Sequence, residues 1–236
     1  MEGNYCSKCG QNTRVRRIDL SSFINELSET LFQVNRGFFF TYFSLFTKPG
    51  QTIRDFLEGK RAQHYKPIAY VLLLSTLYLL VTRITEQATW IDDLVSGFNQ
   101  YEEGIDIPSQ FNWLINNFSY SNLILLPIFS IGSFLAFKKA KYNYLEHMVL
   151  NAYITGQQSV IYLLFNLVTF YYDNKLTDAI PTFLSIFYTF WVYWQFFNKG
   201  NRVINILSTL LTYVIYVILS SLFLVIASII GNVIFS

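Results

Sequence analysis

Long uncharged runs alternate with short polar connections over the C-terminal two thirds of this chain, at 67–82, 119–137, 148–172, 179–197 and 203–235. The hydrocarbon core of a bilayer is about 30 Å thick and takes about 20 helical residues to cross. The pattern therefore predicts about five transmembrane helices, at 67–83, 118–137, 148–172, 178–197 and 203–234. The middle three are clean by length. Pro127 sits inside the second span and is expected to kink it. The fourth ends in Trp191, Tyr193, Trp194, Phe196 and Phe197 just before Lys199, an aromatic belt against a basic connection. The first has only Ile68 to Thr82 free of charge and crosses fully if Arg83 and Glu86 snorkel; a re-entrant segment is the alternative. The last run is longer than a bilayer needs, which tilt or an interfacial tail after Gly231 would absorb.

Ahead of these runs the periodicity is amphipathic. Leu20, Phe23, Ile24, Leu27, Leu31 and Val34 follow helical spacing, with Asp19, Ser21 or Ser22 as N-cap. The polar face of this helix has acids and no base, which favours packing on protein over anionic lipid. Gly37 is expected to break the helix. Phe38 to Phe46 is too short to cross and reads as interfacial. A third short helix starts at Pro49, with Ile53, Phe56 and Leu57 on its apolar side and Gly59 as its stop. Lys60, Arg61, His64, Tyr65 and Lys66 then gather at the membrane entrance, a cluster suited to anchoring on anionic headgroups.

Charge orients the array. Ten of the 17 Lys and Arg precede the first span: Lys8, Arg14, Arg16, Arg17, Arg36, Lys48, Arg54, Lys60, Arg61 and Lys66. Lys138, Lys139 and Lys141 follow the second span, and Lys199 and Arg202 the fourth. The other two connections hold Arg83 and Lys175 against eight acids, Glu86, Asp92, Asp93, Glu102, Glu103, Asp106, Asp173 and Asp178. Excess Lys and Arg marks cytoplasmic connections. The N-terminus is thus expected in the cytoplasm, the C-terminus outside, and 84–117 as an external loop. Composition agrees with a membrane protein: 53% of residues are apolar and 14% charged, against about 25% charged in soluble domains. The pI of about 8.4 reflects this anchoring and not nucleic-acid binding. No cleavable signal peptide is visible in the polar stretch from Met1 to Asp19.

Candidate chemistry is sparse. Cys6 and Cys9 are the two cysteines and lie on the reducing side, where a disulfide is not expected. The third span carries a polar stripe, Asn151, Thr155, Gln158, Tyr162 and Asn166, close to one helical face. Such groups need partners in hydrocarbon. They serve either interhelical hydrogen bonds or a transport path, and Gly156 permits close helix approach in both cases. Glu146 and His147 open the third span but point about 100° apart, so their spacing forms no acid–base dyad. Asp178 opens the fourth span as a cap. No ionisable residue falls at the centre of a span, which argues against ion-coupled transport. No Walker loop, nucleophile elbow or zinc-protease helix is present.

The first 70 residues resemble a family of uncharacterised bacterial multi-pass membrane proteins known by a domain of unknown function. The resemblance rests on Tyr5-Cys6-Ser7-Lys8-Cys9-Gly10-Gln11, Arg36-Gly37-Phe38 with Thr41, Lys48-Pro49-Gly50, and Ile53 to Arg61 with Tyr65 and Pro67. A looser echo is Tyr144 to Val149. The resemblance implies an inner-membrane location and no established activity. It also implies two Cys-x-x-Cys knuckles forming a zinc ribbon, of which this sequence holds the second. Structural zinc takes four ligands, so zinc at Cys6 and Cys9 requires ligands shared between chains or an upstream knuckle.

The expected architecture is an all-α polytopic membrane bundle of about five spans with cytoplasmic amphipathic helices. Its parts are a knuckle and basic segment at 1–18, amphipathic helices at 19–66 and a transmembrane domain at 67–236. The expected role is a non-enzymatic inner-membrane organising protein, partnered by the bilayer and by a second copy or another membrane protein. A permease component using the third-span stripe is the runner-up. A lipid-modifying enzyme with Arg61, His64, Glu146 and His147 at the cytoplasmic interface comes third.

Overall fold

A computed structural model of the 236-residue chain describes residues 36–87, 89, 118–172 and 175–235. Regular structure among them is helical throughout: α1 (Arg36–Thr47), α2 (Pro49–Leu57), α3 (Pro67–Ile84), α4 (Phe118–Ala136), a 3-10 turn (Lys138–Ala140), α5 (Tyr144–Tyr171), α6 (Lys175–Phe196) and α7 (Arg202–Phe235). The helix expected at 20–34 and most of the external loop lie outside the described residues. Three helices are long and apolar enough to cross a membrane: Pro67–Ile84, Phe118–Ala136 and the Arg202–Phe223 part of α7.

Local sequence explains most helix ends. Pro49 and Pro67 occupy the first turns of α2 and α3, where a missing N–H costs nothing. Gly59 follows α2 at φ 99°, a left-handed conformation open to glycine. The helix α5 begins at Tyr144, four residues before the apolar run, because Asn143 and Glu146 form a reciprocal capping box. Two expectations are corrected. The short helix expected from Phe38 starts two residues earlier, at Arg36, and takes in Gly37, whose carbonyl accepts from Thr41 Oγ1 at 2.8 Å; the expected break of the preceding helix lies outside the described residues. The helix at the fourth expected span starts at Lys175, so Asp178 lies inside it and not at its cap, and it continues through Pro181. Pro127 likewise sits inside a continuous α4.

The starts of α3, α5 and α7 and the ends of α4 and α6 gather at one end of the bundle. Tyr153 of α5 reaches the backbone just before α3. Phe137 stacks on Phe197 at 3.9 Å between centroids, and Asn205 of α7 bonds the Phe197 carbonyl. At the opposite end Tyr78 meets Phe118, Thr85 meets Asn166, and Tyr162 meets Thr182. The central helix is α5, which packs on α3, α4 and α6 and on the arm α1–α2. Its buried residues include Val149, Leu150, Tyr153, Ile154 and Val160.

Close approach of α3 to α5 depends on Gly156. A Cβ there would lie 2.5 Å from Cδ1 of the Tyr70 ring, which is fully buried. Overpacking of this kind typically costs about 1–3 kcal/mol. By contrast, a Cβ at Gly200 would meet its nearest neighbour, Asn205 Oδ1, at an ordinary 3.4 Å. Gly156→Ala is therefore expected to lower the thermal unfolding midpoint of the detergent-purified protein, with Gly200→Ala close to the parent. Equal midpoints for the two variants would show that α3 and α5 are not tightly apposed.

Candidate functional site

The arm docks on the end of the bundle through named contacts. The helix α2 lies against the C-terminal turn of α6. Gly50 sits so close that a Cβ would come within 2.5 Å of the Gln195 carbonyl carbon and the Phe196 nitrogen. Arg54 Nη1 donates to the carbonyls of Gln195 at 2.5 Å and Phe196 at 3.0 Å. Helix ends leave their last carbonyls without intrahelical donors, and a cation there also offsets the negative end of the helix dipole. Tyr188 donates to the Leu45 carbonyl at 3.0 Å, which ties α1 to α6 as well. On the outer side of α1, Phe39 and Phe43 are 59% and 62% exposed.

The membrane-entrance cluster divides into structural and exposed members. Tyr65 belongs to the core: its N–H donates to Thr41 Oγ1 at 2.8 Å, and its carbonyl accepts from Tyr153 at 2.6 Å. Lys66 precedes α3 as its N-cap. His64 Nδ1 lies 2.7 Å from the Lys60 carbonyl, and its ring meets Phe40 and Phe56 edge-on. Burial lowers the His64 pKa, and the carbonyl contact opposes that shift in part. Arg61 lies over the Phe56 ring at 5.5 Å, while exposed Lys60 pairs with Asp55 at 2.6 Å.

The polar stripe of α5 does not act as one line. Asn151 joins a buried network at the basic end, in which His147 Nε2 alone has no hydrogen-bond partner. Its Nδ2 donates to Ser133 Oγ at 2.8 Å and Ser130 Oγ at 3.3 Å, and its Oδ1 accepts from Tyr193 at 2.7 Å. Ser133 also shares a 2.9 Å hydrogen bond with His147 Nδ1. Sequence reading missed this five-residue network because its members come from three helices. The small-residue positions Ser130 and Ser133, three apart on α4, were the available signal. The Ser133–His147 pair does not have the setting of a nucleophile. Both side chains are enclosed, Ser133 already accepts from Asn151, and the neighbouring Glu146 carboxylate is held by the Asn143 N–H. His64 and His147 share no ring or hydrogen-bond partner, so the geometry does not join them with Arg61 and Glu146 into one site.

Farther from the basic end, Thr155, Gln158 and Tyr162 line a cavity of about 280 Å³. The helices α4, α5, α6 and α7 form a closed ring of neighbours around it. Gln158 Nε2 donates to the Ser185 carbonyl at 3.1 Å and to Thr189 Oγ1 at 3.0 Å. Tyr162 reaches Ser185 at 3.3 Å. Two further lining groups are buried without a hydrogen bond: Asn122 Nδ2 and Tyr213 OH, the latter turned toward Gln158 and Thr189 without reaching bonding geometry. No lining residue is charged. Asn166 lies elsewhere, accepting from Thr85 of α3 at 3.0 Å. The stripe thus serves a plug (Asn151), a cavity (Thr155, Gln158, Tyr162) and an interhelical tie (Asn166).

Cys6 and Cys9 lie outside the described residues, and the described residues contain no group of three or more potential metal ligands. Residues 35–79 match the family described as a protein of unknown function (DUF3667). No curated protein matches the chain, and no solved structure does. The matched stretch holds α1, α2 and most of α3, and with them Gly50, Arg54, Tyr65 and Tyr70, the residues that seat the arm and α3 on α5 and α6.

The two polar sites respond oppositely to truncation. Asn151→Leu removes three hydrogen bonds, at roughly 0.6 kcal/mol each in membrane bundles, and is expected to lower the unfolding midpoint clearly. Asn122→Leu removes a buried amide whose nitrogen has no partner, and is expected to leave the midpoint unchanged or raised. Parallel thermal melts in detergent decide between these outcomes; a matching drop in both would mean that Asn122 is satisfied in the folded protein.

Proposed function

We propose that this chain is a five-span protein of a bacterial cytoplasmic membrane, with α3 to α7 as its spans, the N-terminus inside and the C-terminus outside. It is read as a non-enzymatic organising protein whose arm forms a fixed collar at the cytoplasmic end and organises a second copy or another membrane protein there. The observation that carries this reading is the clamp of Gly50 and Arg54 on the end of α6. Ten described Lys and Arg residues, Lys48, Arg54, Lys60, Arg61, Lys66, Lys138, Lys139, Lys141, Lys199 and Arg202, belong to the collar and to connections at that same end. That grouping supports the inside assignment. In α5 and α6, Asn151, Gln158, Ser185 and Thr189 bond within the bundle, which supports membrane placement despite the polar content of these helices.

A second reading, a permease component for a small uncharged polar solute, is favoured by the cavity. Its lining residues lie roughly 10–14 residues from the basic ends of α4, α6 and α7, or about 15–20 Å at 1.5 Å per residue. That depth is near the middle of a bilayer core of about 30 Å. Unpartnered Asn122 and Tyr213 offer a solute hydrogen bonds not used by the protein. Solute-induced swelling of proteoliposomes should then fall in Gln158→Leu; unchanged swelling, or none in the parent, removes this reading.

The orientation is checked by reporter fusions near Gln100 and after Ser236, both expected to read as external. A cytoplasmic signal at Gln100 would make α3 re-entrant. The collar is checked by limited trypsin digestion. Cleavage at Lys60 and Arg61 is expected to be slow in the parent and at least tenfold faster in Gly50→Leu combined with Arg54→Gln. Equal rates would show that the arm is not held by α6.

A further inference from the structure

We propose that the vestibule between the α4–α5 and α6–α7 connections is a binding site for the phosphate headgroup of an anionic phospholipid. The site goes beyond both readings above and requires only that the bundle lie in a bilayer. The vestibule has a volume of about 890 Å³ and is lined by Lys138, Lys139, Lys141 and Lys199, with no acidic residue in its wall. Asn198 and Asn201 add amide groups from the second connection. Lys138, Lys139 and Lys199 pair with no carboxylate among the described residues.

Three features suit the site to an anion. Lys141 adopts φ 62° and ψ 18°, one of two non-glycine residues with positive φ among those described. A side chain held in that region marks a turn the surroundings impose, and here it brings three lysines within four positions onto one wall. The N-terminus of α7, where Asn201 Oδ1 accepts from the Val203 N–H at 2.9 Å, lies beside the vestibule with its partial positive charge. The opposing negative end of α6, which also borders the vestibule, is offset by Arg54 on the carbonyls of Gln195 and Phe196.

The wall also explains why a lipid is favoured over soluble phosphate. Leu135 and Ile204 line the vestibule and are 50% and 53% exposed. The apolar surface continues along α7 through exposed Leu207 and Leu211. A ligand with a phosphate at one end and acyl chains at the other satisfies both parts of this surface. A small soluble anion would leave the apolar part uncovered. Basic pockets between transmembrane helices at the cytoplasmic side are suited to such headgroups.

The test is native mass spectrometry of the purified full chain titrated with phosphatidylglycerol or phosphatidylcholine. Preferential retention of phosphatidylglycerol is expected. Each lysine near an anionic headgroup is worth about fivefold, so Lys138→Gln with Lys199→Gln should weaken retention about thirtyfold. Lys48→Gln with Lys60→Gln, at the same end but outside the vestibule, should change it less than threefold. Equal retention of both lipids, or equal loss in both variants, overturns the site and leaves only diffuse attraction. Displacement of the lipid by millimolar inorganic phosphate, but not by chloride of the same ionic strength, would assign the pocket to a soluble anion and overturn the lipid assignment. Size-exclusion profiles matching the parent show that the variants are folded.

Discussion

A buried polar side chain needs partners from the helices packed against it, and α5 carries more such side chains than any other described helix, with only Gln157 Nε2 and His147 Nε2 among them left without a hydrogen bond. Asn151 is met by α4 and α6, Gln157 by Tyr70 of α3, Gln158 by α6 and Asn166 by α3. Each bond fixes the rotation of α5 about its axis, because a turn of one residue position, about 100°, would carry these amides away from their partners. Once α5 is fixed, the places of α3, α4 and α6 follow. The seat of α7 follows from α4, where Gly132 brings the Thr212 carbonyl within 2.9 Å of where a Cβ would be.

The same constraint accounts for the hydropathy pattern. α3, α4 and the first part of α7 are apolar enough to be recognised as crossing helices from composition. α5 and α6 are not, since polar residues dilute the apolar count, and several of these, Asn151, Gln157, Ser185 and Thr189 among them, are turned inward. The most enclosed helix of the bundle is therefore one whose sequence looks least like a membrane span. Only 11% of the best window of α7 is buried, against 50% for α3 and α4. An outer helix of this kind can be uniformly apolar because few of its positions have to match a neighbouring helix.

The arm and the bundle end are mutually dependent. α2 is too short to be stable alone and takes its place from Gly50 and Arg54 on α6. In return α6 gains donors for carbonyls that its own backbone cannot satisfy. Tyr65 completes the join, with its N–H held by α1 and its carbonyl by α5. This places the family-matched residues at 35–79 where they set how α1, α2 and α3 meet the rest of the chain.

Much of this was legible before any coordinates. Alternation of apolar runs with basic and acidic connections, Pro49 and Pro67 as helix starts and Gly59 as a stop are local or one-dimensional properties, and the chain states them directly. The stripe on α5 was visible as a stripe, since helical spacing alone puts its members near one face. Its division was not visible, because whether Asn151 joins a plug and Gln158 a cavity depends on which helices stand opposite. Ser130 and Ser133 offered only their three-residue spacing, and Asn122 and Tyr213 gave no signal of their own until packing brought them together. Capping at Asn143 and the running of α1 through Gly37 show the same limit at the ends of helices. Sequence determines which segments are helical and which faces are polar; only tertiary structure decides which polar groups find partners, because in a bundle those partners come from helices distant along the chain.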